Sequence, residues 1–505
     1  MSRNKSERAD NAYNTLERHF TRISRLDGAL SVLDWDQATM MPNGGADARA
    51  EQLSTLKLIR HEALCSSEIA DLLAAAEDDL SRLDGWQQAN LARMRRSWRN
   101  ATALPADLVE ALSLAACNCE VTWRTARKDN NFKSLAPSLD ILLQLTRDAA
   151  TAKAALIGCS PYDALLDQFD SGAKAAAVDA LFSELEDFLP DFLPQVLEHQ
   201  RRQPAIMEPK GPFPVDTQRA VALELMRDLG FDFEHGRLDV SHHPFSGGVP
   251  DDVRITTRYI DTEFLQGLMA VLHETGHAMY ERGLPKAWRS QPVGRARGMI
   301  AHESQSLIVE MLACRGPEFV GYLAPKMAAA FGDGKAWTPV NLQRLFQHVE
   351  RDLIRVHANE VTYPLHVLLR YRLERAMIGG DLLIPDLPGA WNDGMRLLLG
   401  ISPPNDADGC MQDVHWPAGL FGYFPTYTLG ALAAAQFFAA AKQQQPEILP
   451  AISKGKFKPL MGWLSDNVHQ WGSRYSTDEL LVRTTGAPLG TAAFKAHLRA
   501  RYLPD

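Results

Sequence analysis

Two histidines stand four residues apart in the stretch VLHETGHA, with a glutamate directly after the first. Residues i and i+4 of an α-helix lie one above the other, so a helix here would turn the rings of His273 and His277 to the same side. Two such rings can bind one divalent ion, with Glu274 within reach of a water molecule beside it. A metal ion so placed lowers the pKa of water to ~7, and the glutamate takes the proton. The motif predicts metal-assisted hydrolysis, with two histidines on an ordinary helix face as the alternative.

A third ligand is needed to complete such a site, because catalytic zinc takes three protein ligands and keeps one position open. Glu303, in the stretch AHESQS, is the candidate. Apolar residues four, five and eight positions after it predict a second helix that packs on the first. His302 and Gln305 flank Glu303, and each is either a hydrogen-bonding partner of the ligands or an ordinary satisfied polar residue.

The elements that must position these residues follow from the local pattern. The helix that carries the two histidines is predicted over Asp261–Gly283, because apolar residues recur near the 3.6-residue period. Asp261 or Thr262 is expected to cap its start, and Gly283 before Leu-Pro is a stop signal. The best strand candidate is Val253–Tyr259, which alternates apolar and polar residues after a turn-rich segment.

The rest of the chain has the composition of a helical protein. Long tracts are dominated by Ala, Leu, Glu, Gln and Arg, which lose little side-chain freedom in a helix. No Gly/Ser-rich or Pro-rich linker interrupts the 505 residues. We predict one mainly α-helical catalytic unit over residues 1–505, with two lobes as a variant and separate N- and C-terminal domains as the alternative.

Charge and cysteine content exclude several classes of protein. The chain carries 53 basic and 62 acidic residues, a net charge of −9, without a basic block, which argues against nucleic-acid binding. The six cysteines are too scattered for a disulfide framework. The polar N-terminus lacks the apolar region of a signal peptide, and no apolar run reaches the ~20 residues of a membrane span. We therefore predict a cytoplasmic protein without membrane association.

Seven segments together resemble the motifs of a known family. They are, in chain order, LDWDQATMMP from Leu33, PYDALLD from Pro161, SHHPFS from Ser241, DVRITT from Asp252, HETGH, HESQ, and GCMQDVHW from Gly409 with GYFPTY after it. Through these motifs the sequence resembles the M32 metallocarboxypeptidases, of the thermostable carboxypeptidase Taq type, over nearly its whole length.

This resemblance implies a fold, an activity and a ligand set. The fold would be a large, two-lobed, saddle-shaped helical one with a deep groove, similar to neurolysin and angiotensin-converting enzyme, with a small β element before the zinc helix. The activity would be that of a zinc carboxypeptidase that releases single amino acids from the free C-termini of peptides, usually as a homodimer. The ligands would be His273, His277 and Glu303, with Glu274 as the general base. Zn²⁺ is expected, although Co²⁺ and Mn²⁺ also suit a His₂Glu site.

Further roles follow for residues outside the metal motifs. Related helical metallopeptidases use a His and a Tyr from the C-terminal region, which makes His415 and Tyr423 candidate hydrogen-bond donors to the oxyanion. An exopeptidase must also bind the free carboxylate, and the planar fork of arginine does this best. Arg355 is the first candidate for this role and Arg254 is the second. Alternatively, Arg254 forms a structural ion pair with a neighbouring aspartate. His243 is a candidate for lining the groove, or a turn residue.

The sequence departs from the family pattern at two places. The motif IRxxAD reads IRVHAN, so Asn359 replaces an acid. If Arg355 and Asn359 lie on one helix face, the amide would hold the arginine by a neutral hydrogen bond, which is weaker than a charge-assisted one. After HESQ, Leu307 and Met311 stand where a basic and an amide residue are expected, and we interpret this as a changed interface.

Two other functions compete with a carboxypeptidase. A zinc oligopeptidase or endopeptidase of the same helical fold class would also carry HExxH and a downstream glutamate. An inactive helical binding scaffold is the alternative from another class. Its sequence would be expected to have lost a ligand or the base, and all four residues are present here.

Overall fold

Helices make up most of the computed structural model, which describes residues 2–504 and the side chains from residue 12 onwards. The predicted mainly α-helical fold is confirmed. None of the described helices is both long enough and apolar enough to span a membrane. The α-helices are, in chain order, α1 Ser2–Thr39, α2 Ala46–Cys65, α3 Ser67–Glu77, α4 Gly85–Thr102, α5 Ala106–Lys128, α6 Phe132–Ile157, α7 Pro161–Phe169, α8 Ala175–Arg201, α9 Val215–Leu229, α10 Leu265–Gly283, α11 Met299–Leu307, α12 Pro317–Phe331, α13 Pro339–Phe346, α14 Tyr363–Gly379, α15 Leu387–Leu399, α16 Pro425–Gln444, α17 Ile448–Ile452, α18 Lys458–Asn467, α19 Thr477–Thr485 and α20 Ala492–Tyr502.

A small sheet stands directly before α10, as the resemblance implied. Its strands are β1 Gly236–Val240, β2 Ser246–Val249 and β3 Asp252–Thr257. The central strand β3 pairs in parallel with β1 and antiparallel with β2. The predicted strand Val253–Tyr259 is confirmed, although β3 begins one residue earlier and ends two residues earlier.

The buried apolar side chains form three clusters. The largest fills the space between the helices from α5 onwards. A second lies within α1–α4 and the turn between α3 and α4. A third packs the sheet against α9 and α10, and thereby fixes the helix that carries the two histidines to β3.

The helix α10 begins later than its sequence suggests. It starts at Leu265 rather than at Asp261, so the predicted capping by Asp261 or Thr262 is wrong. The reason is that Ile260 and Glu263 close a turn by an isolated β-bridge. The Glu263 carboxylate then accepts a hydrogen bond from the N–H of Gln266, at 2.9 Å. The predicted end at Gly283 is confirmed.

Two glycines allow the three helices of the site to approach closely. A Cβ atom on Gly276 of α10 would lie 2.6 Å from Cα of Ser306, at the end of α11. A Cβ atom on Gly430 of α16 would lie 2.8 Å from both Cβ and Cγ of Glu303. Only a residue without a side chain fits at such contacts. The backbones of α10 and α16 therefore fix the position of Glu303 from two sides.

Candidate metal centre and active site

The structure brings His273, His277 and Glu303 together. The two histidines stand one turn apart on α10, and Glu303 projects from α11. One ligand atom from each lies within 4.8 Å of the others. Oε2 of Glu303 is 3.9 Å from Nε2 of His273 and 3.6 Å from Nε2 of His277. Atoms that each lie ~2.0–2.2 Å from one tetrahedral ion are separated by about 3.5 Å, so this group fits a shared divalent ion.

A second carboxylate, which the sequence analysis missed, lies on the other side of His273. Oε2 of Glu310 is 3.5 Å from Nδ1 of His273. Arg315 donates to the other oxygen of Glu310 from Nε and Nη2, at 3.1 and 2.5 Å. Burial raises the pKa of Glu310, but Arg315 and His273 together lower it to about 2, so the group is charged. The sequence did contain a signal for Glu310: it lies seven residues after Glu303, which is two helical turns and therefore the same helix face.

Glu310 belongs to a π-helical segment, Ile308–Ala313, that continues α11. The last helix of the chain holds this segment. Arg501 of α20 donates from Nη1 to the carbonyl oxygen of Met311, at 2.6 Å, and from Nη2 to that of Leu312, at 3.0 Å. Single π turns of this kind occur frequently at functional sites. Here the turn presents Glu310 to His273, one of the candidate metal ligands.

Glu274 lies beside the three ligands in a buried position, with 8% of its surface exposed. Burial raises the pKa of its carboxyl, and a hydrogen bond with the Ser246 side chain opposes this rise. Ser246 comes from β2, so the sheet supplies one wall of the site. A carboxylate with a raised pKa is a better proton acceptor at neutral pH.

The two polar residues beside Glu303 have different surroundings. The ring of His302 stacks on that of His277, with centroids 4.4 Å apart, and its Nε2 is 3.0 Å from Oε1 of Glu281. Gln305 instead contacts Nε2 of His469 through Oε1, at 3.0 Å. His302 thus packs on His277, a candidate ligand, whereas Gln305 is a core residue whose polar atoms have hydrogen-bonding partners.

A cavity of ≈600 Å³ opens onto the three ligands and Glu274. Arg355 and the tyrosines 363, 423 and 427 also line it. The guanidinium of Arg355 lies over the ring of Tyr427, 5.1 Å from its centroid. The cavity therefore combines a candidate metal site with a buried cation.

Arg355 is held by Asp413, not by Asn359. Nε and Nη2 of Arg355 donate to Oδ1 of Asp413, at 3.0 and 2.8 Å. Nη1 donates to the hydroxyl of Tyr363, at 2.9 Å. Arg370 donates from Nε to the other oxygen of Asp413, at 2.7 Å, and its Nη2 lies 2.6 Å from the same oxygen while it donates to Oε1 of Gln412. Two buried guanidinium groups thus share one carboxylate.

The predicted pairing of Arg355 with Asn359 on one helix face is wrong. Arg355 lies in a single 3₁₀ turn that ends at His357, and the extended backbone of Ala358 separates it from Asn359. Asn359 caps the turn before α14, accepting the N–H groups of Val361 and Thr362, both at 3.1 Å. The missing family acid therefore does not loosen the arginine by this route.

His415 and Tyr423 lie close together but only Tyr423 lines the cavity. Nε2 of His415 is 3.1 Å from the hydroxyl of Tyr427, a cavity residue that the sequence analysis missed. Burial and Arg355 lower the pKa of His415 to about 4, so it is neutral at pH 7. Burial raises the pKa of Tyr423 to about 12 and that of Tyr427 well above its usual value. Both tyrosines keep their protons and can donate hydrogen bonds.

Arg254 and His243 are not among the residues that line the cavity. Arg254 forms a two-point ion pair with Asp252, at 2.9 and 2.5 Å, and stacks over the ring of Trp35. His243 is exposed and packs against the ring of His242. The structural readings of both residues fit these positions better than a role in substrate binding.

Comparisons with known proteins show similarity along nearly the whole chain. The profile of the family described as "Carboxypeptidase Taq (M32) metallopeptidase" matches residues 15–502. "Thermostable carboxypeptidase 1" of Thermus thermophilus is 39% identical over 485 residues, with 94% of each chain covered. "Thermostable carboxypeptidase 1" of Pyrococcus furiosus is 33% identical over 489 residues, covering 96% of this chain and 97% of the relative. The solved structure "Trypanosoma Cruzi Metallocarboxypeptidase 1" has a TM-score of 0.96 at 40% identity, covering 98% of this chain and 99% of its own. The solved P. furiosus carboxypeptidase has a TM-score of 0.93 at 33% identity, covering 97% and 99%.

Proposed function

The chain belongs to the carboxypeptidase Taq (M32) metallopeptidase family and is a metallocarboxypeptidase, and we propose that its cavity is the site of reaction. In this proposal His273, His277 and Glu303 hold the divalent metal, and Glu274 is the general base. Arg355 binds the free carboxylate of the peptide.

The observation that carries the proposal is the charge balance around Arg355. Arg355 and Arg370 bring two positive charges to one carboxylate, that of Asp413. The neighbouring His415 is neutral, and Glu303, the other carboxylate close to Arg355, belongs to the metal-binding group. Glu374, which also interacts with Arg370, has its pKa raised to about 7 by burial, so it cancels only part of the remaining positive charge. A peptide C-terminus supplies the negative charge that the two arginines still lack. An endopeptidase has no need of such a cation.

Arg355 also has N–H groups that are not bonded to Asp413 or Tyr363 and can donate to a substrate. Its contacts with Asp413 and Tyr363 use three of the five N–H groups of a guanidinium. The remaining N–H groups, one on each terminal nitrogen, can form the paired hydrogen bonds that a carboxylate accepts. Asp413 fixes the plane of the fork, so little side-chain entropy is lost on binding.

Residues of the chain also provide the proton transfers. A divalent ion in the site would activate a water molecule and polarise the peptide carbonyl. Glu274 takes the proton of the attacking water and delivers it to the leaving amine. The hydroxyls of Tyr423 and Tyr427 donate to the carbonyl oxygen as it gains charge, a contribution of typically ~10²–10³ in rate. His415, behind them, orients the hydroxyl of Tyr427.

We propose Zn²⁺ as the ion, since the ligand set of two imidazoles and one carboxylate is typical of catalytic zinc. Elemental analysis of the gently purified protein tests this, and manganese or cobalt in place of zinc would contradict it.

The homodimer and the cytoplasmic location remain predictions. Light scattering during size-exclusion chromatography tests the former, and a monomer would refute it.

One peptide in two forms tests the proposed function. The free-acid form should lose residues singly from its C-terminus, as followed by mass spectrometry. The C-terminally amidated form should be a poor substrate, because it cannot pair with Arg355. Equal cleavage of both forms, or a cut in the interior of the peptide, would favour the oligopeptidase alternative.

The base is tested separately by Glu274→Gln. This variant should retain its metal and lose nearly all turnover, because only the proton acceptor is removed. Glu224→Gln, at a surface ion pair with Lys326, is the matched control and should behave as wild type. Loss of metal together with activity in Glu274→Gln would show that its role is misassigned.

A further inference from the structure

One end of the cavity is lined by apolar side chains. Leu307 stands one turn after the ligand Glu303 on α11, and Met311 follows in the π-helical segment. Ala431 stands one turn after Tyr427 on α16, and Phe494 comes from α20. All of these line the same cavity as the metal ligands. Leu307 and Met311 are therefore cavity residues, and their interpretation as an interface is wrong.

The charged residues at this end already have partners. Glu310 is paired with Arg315 and lies beside His273. Glu360 is paired with Arg501 and with His497, whose Nε2 is 2.8 Å away. Among the described residues that line this end, none offers an unpaired charge to a ligand. A charged side chain brought here would lose its hydration without gaining a partner, which is costly.

The apolar end of the cavity is placed to receive the side chain of the substrate's last residue. In the proposed function the terminal carboxylate lies on Arg355 and the carbonyl to be attacked lies at the three ligands. The side chain of the last residue must project from the short stretch between these points. Leu307 follows Glu303 on α11, and Ala431 follows Tyr427, which stacks on Arg355, on α16. These two helices pack against each other, so both side chains lie beside this stretch.

We propose that Leu307, Met311, Ala431 and Phe494 form the subsite for the C-terminal side chain, and that the enzyme prefers peptides ending in Leu, Met or Phe. Peptides ending in Lys, Arg, Asp or Glu are poor substrates. The proposal rests on the proposed function, since it places the terminal carboxylate on Arg355. A hydrophobic pocket discriminates by about 10–200-fold in kcat/KM for each methylene-sized change that it senses.

A panel of N-acylated dipeptides with one shared penultimate residue tests the preference. Their last residues are Leu, Phe, Ala, Lys and Glu, and kcat/KM is measured for each with the metal-loaded enzyme. Leu and Phe should exceed Ala by at least about tenfold, with Lys and Glu below Ala. Hydrolysis of the Lys or Glu peptide as fast as the Leu peptide would overturn the subsite and leave the proposed function standing. No hydrolysis of any of these free-acid peptides would overturn the proposed function itself.

Two variants locate the subsite on these residues. Leu307→Lys should invert the preference between the Leu and Glu peptides, because it adds a cation to the apolar wall. Leu397→Lys, the same change at an exposed leucine of α15, is the control and should leave the preference unchanged. Ala431→Leu should narrow the subsite, lowering kcat/KM for Phe more than for Ala.

Each result is a ratio of two substrates with one enzyme preparation, so the fraction of folded protein cancels. An unchanged ratio in both Leu307→Lys and Ala431→Leu would overturn the assignment. If Leu307→Lys does not fold, Ala431→Leu and the wild-type panel decide the outcome.

Discussion

Replacement of Asp413 by asparagine tests how the substrate-binding arginine is held. The carboxylate of Asp413 accepts two N–H groups from Arg355 on one oxygen and one from Arg370 on the other, and this second oxygen is also ion-paired with Nη2 of Arg370. Asparagine keeps the shape but removes the charge. Its amide nitrogen would also face the donors of one of the two arginines.

The expected cost follows from burial. The side chains of Arg355, Arg370 and Asp413 are 6%, 0% and 10% exposed. Removing one partner of a buried ion pair typically costs ~3–5 kcal/mol of unfolding free energy, because the other charge stays buried without compensation. We also expect kcat/KM to fall by about 10²-fold, the loss associated with a misplacement of about 1 Å at a positioning group.

The assay combines three measurements on Asp413→Asn. They are the free energy of unfolding in denaturant, kcat/KM on a free-acid peptide, and metal content. Metal content should be unchanged, since Asp413 is not a ligand. The comparison is Asn359→Asp, which restores the family acid and should leave KM unchanged, because the side chain of residue 359 caps the turn before α14 and is not bonded to Arg355. The reasoning would be refuted if Asp413→Asn kept full kcat/KM, or if Asn359→Asp lowered KM several-fold.

Three further predictions concern the metal site and the core. Glu310→Gln should weaken metal binding ~10–100-fold in a chelator competition, as expected on losing a carboxylate that orients a ligand; an affinity equal to that of the control Glu224→Gln would contradict this role. Gly430→Ala should displace Glu303, weaken metal binding and cost ~1–3 kcal/mol of stability, and wild-type values of both would show that the helices can separate. Burial raises the pKa of Glu374 from 4.5 to about 7, so the folded state binds its proton more tightly than the unfolded state. Stability should therefore fall by ~3 kcal/mol as the pH rises from 4.5 through 7, relative to Glu374→Gln, and parallel pH profiles of the two proteins would refute this.

The proximity of the candidate metal ligands could be predicted from the sequence because their geometry is largely local. His273 and His277 are one helical turn apart, and a regular helix leaves no choice about the face that they share. The fold class was equally accessible, since helix-forming residues dominate the chain. The position of Glu303 relative to the two histidines depends on how two helices pack. Its prediction therefore needed the sequence motif around it as well as its distance along the chain from His273.

The surroundings of Arg355 could not be predicted in this way. Its partner Asp413 lies 58 residues further along the chain, and nothing in the local pattern connects them. The i, i+4 spacing to Asn359 suggested a helix that the extended backbone at Ala358 prevents. Tyr427 was likewise missed as a cavity residue. Only the folded structure shows that its side chain contacts His415 and lines the cavity.

Glu310 illustrates a different limit. Its two-turn spacing from Glu303 was visible, but an acid in a helical segment is usually solvated. Arg315, five residues later, is brought back to it by the π-helical turn. The burial of Glu310 and its pairing with Arg315 therefore depend on a π-helical turn, and the periodicity of apolar residues does not predict such a turn.

The last helix has a consequence for how the enzyme is made. Phe494 closes the apolar end of the cavity, and Arg501 binds the carbonyl groups of the segment that carries Glu310. Both belong to α20, whose residues are synthesised after those of α10 and α11, and chains fold from the N-terminus as they emerge. The ligands on α10 and α11 are thus translated long before the wall that completes their cavity. A growing chain therefore carries the metal-binding motif before its cavity is complete, and we expect proteolytic activity to begin only after α20 has folded into place.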